Sequence, residues 1–327
     1  MTQPPDPDHV EEVLLGAAVK YTREEAIREA GVEAEFADRL WQALGFPRVP
    51  DGEPTFTEGD VNSLRIVRRF VDDGVFDEDA AVRLARAMGQ TMARLAEWQL
   101  DILASSLIEA GTVPDAKTIQ AVAELLVPEV EEIVVHVWRR QLGAAGARAI
   151  AALDGGGGSG PTPGRVTLTV GFADLVSFTT LSRELDEIGL AQVVEGFESV
   201  AADTVAEHGG RIVKTLGDEV LFVADRPEVG AEIALRIAEA VRTHVEVPDV
   251  RVGMAYGSVV STLGDVFGTT VNLASRLTSF ARPGTVLVDA ELAGRLLDTG
   301  GYRLIKIVRR PARGLGLVQP YVLRRAR

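Results

Sequence analysis

The 327-residue chain contains no cysteine. That excludes disulfides and thiolate metal sites, and it fits a reducing compartment, so a cytoplasmic location is expected. Long apolar runs are missing as well. No stretch approaches the roughly 18 residues that span a bilayer, and no membrane segment is expected. The opening "MTQPPDPDHVEE" is acidic and rich in proline, unlike a secretory signal. Basic charge is in short supply: 34 Lys and Arg face 48 Asp and Glu, a net charge of -14. The imbalance is concentrated at the front. Residues 1–150 hold 15 basic and 27 acidic side chains, against 19 and 21 in the rest. An acidic front half argues against bulk attraction to nucleic acid or to an anionic membrane.

What is present divides into two parts. The apolar fraction of 46% is ample for two cores, and the length suggests two domains. The stretch "DGGGGSGPTPG", residues 154–164, resists regular structure because glycine and serine are costly to order and proline cannot continue a helix or strand. The expected organisation is a helical domain over 1–153, a Gly/Pro linker over 154–164 and a second domain over 165–327.

The first part reads as helices. "YTREEAIREAG" has a capping threonine, Thr22, with a glutamate three positions on. "EFADRLWQALG" ends at a glycine, and "TEGDVNSLRIVRRFVDDG" carries apolar residues at helical spacing. A long segment from "DEDAAVRLARAMG" onward has an apolar stripe through Leu84, Leu95, Trp98 and Leu100. A connecting helical stretch over 118–153 is expected to break or kink near Pro128. Residues 22–70 also resemble the helix-turn-helix of MerR-type regulators. Arg65, Arg68 and Arg69 cluster there, but acids surround them, and a solvated helix face in a bundle is the expectation.

The second part alternates strands and helices. "GRVTLTVGFADL" is a strand, "VEGFESVAADTVAEHGG" a helix closed by glycines, and "RIVKTLGDEVLFVA" two strands about a Leu-Gly-Asp turn. A further helix and strand follow, and the tail offers a last strand pair. The order βαββαβ is that of an α+β, ferredoxin-like fold.

Several polar residues sit where chemistry is possible. Asp174 ends the first strand before a short turn and helix, where free backbone N–H groups suit phosphate and a carboxylate suits a metal; an ordinary helix cap is the simpler reading. Asp218 lies in the hairpin turn, where Gly-Asp is common turn chemistry. Antiparallel pairing would bring the two carboxylates together, and a divalent cation relieves their repulsion. Lys214 is four residues before Asp218, so a local ion pair is one reading. In "LGDVFGTTVNLASRL", Asp265 precedes a turn, and Asn272 and Arg276 share a helix face. Arg276 could clamp phosphate with its planar fork; a helix-capping Asp265 and a surface Asn–Arg pair are the plainer alternative.

Three motifs, "FADLVSFT", "GGRIVKTLGDEVLFV" and "GDVFGTTVNLASRL", together resemble the class III nucleotidyl cyclases over about residues 165–327. The resemblance implies that Asp174 and Asp218 bind two divalent ions, Mg2+ or Mn2+. It implies that Lys214 and Asp265 select the base, and that Asn272 and Arg276 act on the transition state. A tail basic residue that touches the triphosphate would be Lys306, Arg310 or Arg313. Such domains pair head to tail, so a homodimer is expected, with Lys214 and Asp218 serving opposite sites. A lysine donates to adenine N1 and a carboxylate accepts from the N6 amino group, whereas guanine reverses both, so the expected substrate is ATP. A mismatch of buried groups costs on the order of 1–3 kcal/mol each.

The first part is similar, through "YTREEAIREAG", "LWQALGFP", "FTEGDVNSLRIVRR" and "RLARAMGQTMARLAEWQ", to the regulatory domain of soluble actinobacterial cyclases described as pH-sensitive. Histidine is the usual titrating group near neutrality. Of His9, His136, His208 and His244, His136 stands out in the connecting segment beside Glu131, Glu132, Arg139 and Arg140. Two other readings remain: a diguanylate cyclase, from the faint echo of Gly-Gly-Asp-Glu-Phe in "LGDEV", and a DNA-binding regulator carrying an inactive cyclase domain.

Overall fold

The computed structural model describes residues 12–326 apart from 51, 110, 112–115, 155–163 and 244–246. The chain divides into two compact units, Met1–Arg148 and Ala149–Arg327. Most of the expected linker, together with His9 and His244, lies outside the described residues.

The first unit is helical. Helix α1 (Arg23–Ala30) opens on Thr22, whose hydroxyl accepts the Glu25 N–H while Glu25 accepts the Thr22 N–H. Two donors that a helix start leaves orphaned are satisfied in this way. Helix α2 (Ala34–Leu44) stops at Gly45, which takes a left-handed φ of 87°. Helix α3 (Glu58–Asp72) begins with a second reciprocal cap, Thr57 with Asp60. The core between them holds Phe36, Leu40, Trp41, Phe56 and Val61, with the Trp41 and Phe56 rings stacked 4.4 Å apart. The arginine cluster on α3 is engaged within the unit. Arg65 donates to the Glu29 carbonyl at 2.8 Å, Arg68 pairs with Asp72 at 2.7 Å, and Arg69 lies against the Phe70 ring.

Helices α4 (Glu78–Glu109) and α5 (Ala116–Asp154) are long. Helix α5 runs through Pro128 without a break, so of the expected break or kink the break does not occur. A proline removes one N–H bond and crowds one carbonyl, and a helix of 39 residues retains its bonds on either side. The stripe read on α4 is largely uncovered: Leu84, Trp98 and Leu100 are each about half exposed.

The second unit is built on strand β1 (Arg165–Leu175), followed by α6 (Phe178–Glu184) and α7 (Glu187–Glu207). Strands β2 (Arg211–Thr215) and β3 (Glu219–Ala224) form a hairpin, and α8 (Pro227–Thr243) leads to β4 (Val250–Thr262). Then come β5 (Asp265–Phe267), α9 (Thr269–Phe280), β6 (Val286–Val288) and α10 (Ala290–Leu297). The tail adds β7 (Tyr302–Lys306), β8 (Arg310–Ala312), β9 (Gly316–Val318) and β10 (Tyr321–Arg325). The main sheet runs β2-β3-β1-β4-β6-β10-β7, with β5 on β4. Its first four strands are antiparallel neighbours in the ferredoxin-like arrangement that βαββαβ implies. The tail is richer than one strand pair, since β8 and β9 make a hairpin of their own beside the β7–β10 pairing.

Alternation on β1 divides the core. Leu168, Val170 and Phe172 pack on one face with Leu221, Val223, Ala255 and Ala274. Ala173 and Leu175 pack on the other with Phe197, Ile233 and Ile237. Helix α9 covers the first face, and Gly253 on β4 makes its close approach possible. A Cβ there would lie 2.0 Å from the Thr278 nitrogen and 2.6 Å from the Ala274 carbonyl oxygen.

Two outcomes are expected. Gly253→Ala forces α9 away from β4, and its unfolding free energy should fall by about 1–3 kcal/mol in urea titration. The second concerns Glu232 on α8. Its carboxylate accepts two bonds from Arg325 at 2.7 and 2.8 Å and one from Arg236 at 2.9 Å. The Arg325 bonds, chiefly, lower its pKa to about 2. A depressed carboxylate stabilises the fold fully above its unfolded value and loses that contribution as pH falls through the folded value. Melting followed from pH 5 to pH 2 should therefore show a steeper loss in the parent chain than in Glu232→Gln.

Candidate active site

Lys214 does not pair with its neighbour Asp218. Its ammonium donates to Asp265 Oδ2 at 2.6 Å, bridging β2 to the start of β5 across 51 residues. The other Asp265 oxygen accepts the Val266 N–H at 2.8 Å. Asp265 is thus neither a helix cap nor free, and the residue preceding α9 is Gly268. Both side chains are partly exposed, 36% for Lys214 and 27% for Asp265, so the pair remains within reach of a ligand.

Asp174 occupies the next-to-last position of β1. It faces Glu219 on β3 and Arg251 on β4. Because opposed residues share a face, these three form a row across the sheet on the side that carries α9. Asp174 is buried, and Arg251 reaches its Oδ2 with both Nε and Nη2 at 2.5 Å. The simple cap reading is again not realised, since α6 starts after Ser177. That helix has only seven residues, so its dipole adds little to anion binding. Asp218 closes the β2–β3 turn, and its carbonyl accepts the Leu175 N–H at 2.9 Å, which ties the turn to the end of β1.

Carboxylate charge collects at this end of the sheet. Burial pushes the Asp174 carboxyl up, Arg251 opposes the rise and the Asp218 charge adds to it. Glu219 is pushed to about 7, by burial first and then by the charges of Asp174 and Asp218. Sequence reasoning did not single out Glu219 and Arg251. Their signal is strand register, which places both opposite Asp174 and is invisible until the pairing is known.

Among the described residues, no three His, Cys, Asp or Glu side chains are arranged to hold a metal ion. The donor set at this end is the pair Asp174 and Asp218, hard oxygens whose mutual repulsion a cation would relieve. Two such oxygen donors suit a hard divalent cation that takes its remaining ligands from outside the protein.

Asn272 and Arg276 lie on the exposed side of α9, opposite the buried Ala274, Leu277 and Thr278. Neither side chain makes a hydrogen bond or ion pair among the described residues, and they do not bond to each other. Lys306 ends β7, Arg313 follows β8, and the Arg310 guanidinium sits 5.8 Å from the Phe280 ring centre on α9. His136 is exposed on α5. The His208 ring contacts the Thr204 carbonyl at 2.9 Å and lies 3.9 Å from Glu232.

Residues 163–324 match the adenylate and guanylate cyclase catalytic domain, and residues 10–144 match the adenylate cyclase regulatory domain. An adenylate cyclase of Streptomyces coelicolor is 43% identical over 97% of this chain and 89% of its own length. One from Streptomyces griseus is 41% identical over 97% and 88%. A pH-sensitive adenylate cyclase of Mycobacterium tuberculosis is 31% identical over 87% and 72%. With both domains matched and near full-length similarity to these enzymes, the chain belongs to the adenylate and guanylate cyclase family, in the branch that carries an adenylate cyclase regulatory domain ahead of the catalytic one.

Proposed function

We propose that the chain converts ATP to 3′,5′-cyclic AMP and pyrophosphate, at pockets shared between two copies of its catalytic domain. The observation that carries this reading is the Lys214–Asp265 bond. It sets a donor beside an acceptor at fixed spacing, the pattern that adenine N1 and N6 require and guanine reverses. The adenylate cyclase names of the relatives over nearly the whole chain point the same way.

Asp174 and Asp218 would hold the divalent cations, with Arg251 fixing the Asp174 carboxylate through Oδ2. When bound, such ions supply Lewis acidity toward the ribose 3′-hydroxyl and neutralise triphosphate charge. Arg276 would meet charge building on the α-phosphoryl group as the 3′-oxygen attacks and pyrophosphate departs. Asn272, one helical turn earlier on the same exposed face, would orient the ribose. Lys306, Arg310 or Arg313 would add positive charge toward the outer phosphates.

The shared pocket is supported by what one copy leaves unmet. Asn272 and Arg276 face outward without partners, while the carboxylate row and the Lys214–Asp265 pair occupy different parts of the same sheet face. A two-fold axis would set the carboxylate end of one copy against the base-reading end of the other, giving two equivalent sites. Half-exposed Trp98, Leu100 and Trp138 on α4 and α5 add apolar surface of the kind that association covers. The first domain would regulate the second, in response to pH, as the name of the mycobacterial relative states for that protein. His136 on α5 is the candidate sensor. No helix among the described residues is long and apolar enough to cross a membrane. With the absence of cysteine, this supports a cytoplasmic site of action.

The purified chain, incubated with Mg2+ or Mn2+, should form cyclic AMP from ATP and little cyclic GMP from GTP. Asp174→Ala should lower turnover on the order of 100-fold or more while leaving the oligomeric state unchanged in sedimentation. Unchanged turnover in that variant ends the metal assignment, and equal use of GTP by the parent ends the adenine assignment.

A further inference from the structure

The β2–β3 pairing contains an irregularity with a consequence for the base-reading pair. Arg211 pairs with Val223 and Ile212 with Phe222, but Lys214 pairs with Leu221, so Val213 is an extra residue. Three positions apart on a regular strand, Arg211 and Lys214 would point to opposite faces. The bulge removes that offset. Val223 and Leu221 both pack on the face covered by α9, and so Arg211 and Lys214 share it.

From that face both residues reach the same turn. Lys214 bonds to Asp265, and Arg211 Nη1 donates to the Gly264 carbonyl at 3.1 Å. The turn needs holding. Thr262 pairs with Asp265, so Leu263 and Gly264 alone link β4 to β5. Both have positive φ, 50° and 81°. That is the two-residue hairpin turn in which Asn-Gly is favoured and a leucine at the first position is strained. Strand β5 has only three residues to oppose the strain.

We propose that Arg211 is a positioning residue for nucleotide selection: aligned with Lys214 by the Val213 bulge, it pins the strained Leu263–Gly264 turn and so fixes Asp265 where the base is read. This rests on the reading of Lys214 and Asp265 as the adenine-selecting pair. Arg211 does not touch the nucleotide; it acts through the turn.

The test uses the full-length chain, with Mn2+ and either ATP or GTP. Arg211→Ala should raise KM for ATP about three- to tenfold, leave kcat within about twofold, and lower the ATP-over-GTP ratio of kcat/KM by a similar factor. Arg211→Lys should recover part of the loss. Leu263→Asn supplies the residue the turn prefers, so Arg211→Ala/Leu263→Asn should return KM and selectivity most of the way to the parent. A residue needed only for general stability would not be rescued by a turn substitution. Should the alanine variant not fold, Arg211→Gln replaces it. Parent-like KM and selectivity in Arg211→Ala overturn the proposal, and so does a double variant no better than the single one. Asp265→Ala run alongside separates the two layers. If it shifts KM and selectivity while Arg211→Ala does not, only the positioning role fails. If it shifts neither, the adenine-selecting pair fails and the proposal goes with it.

Discussion

The bond between Lys214 and Asp265 organises everything proposed for this chain. Lys214 and Asp218 are four positions apart, and an ion pair across the turn would have merged two kinds of chemistry into one small cluster. Instead Lys214 is drawn to the β5 hairpin at 2.6 Å, and Asp218 is left beside Asp174. On the proposed reading, a cation-binding end and a base-reading end result. A nucleoside triphosphate has the same two ends, phosphates that want metal and a base that wants matched hydrogen bonds.

The carboxylate end is electrostatically expensive without a partner. Glu219 and Asp174 face each other across β1 and β3, Asp218 adjoins them, and burial raises the pKa of both Asp174 and Glu219, the latter to about 7. Arg251, delivered by β4, offsets part of this through the Asp174 Oδ2 atom. Positive charge from cations held as proposed would offset the rest. On α9, the close packing permitted by Gly253 fixes the helix while leaving Asn272 and Arg276 outward. The scaffold is tight where it meets the sheet and unsatisfied where substrate or a second copy would come.

Much of this was legible from residue order, and the exceptions have a common cause. Thr22 with Glu25 marked a helix start and Gly45 a helix end, because capping depends on residues a few positions apart. The βαββαβ order was readable from local periodicity. The motifs holding Asp174, Lys214, Asp218, Asp265, Asn272 and Arg276 stood out through resemblance, although residue chemistry alone left each with a plainer reading. Glu219 and Arg251 were missed, and so was the Val213 bulge, because strand register is a long-range property. At Pro128 the break that the local rule allows does not occur within a long helix. The β8–β9 hairpin escaped notice because three-residue strands carry almost no periodic signal.

Whether the two ends of one nucleotide pocket come from different copies can be decided by mixing two inactive chains. One carries Asp174→Ala and Asp218→Ala, the other Lys214→Ala and Arg276→Ala, and differently tagged subunits allow mixed assemblies to be isolated. A shared pocket requires that the mixed assembly regain cyclic AMP synthesis, since one of its two sites then contains only unaltered residues. Mixed assemblies that form and stay as inactive as either variant alone, while the parent chain is active, would contradict it.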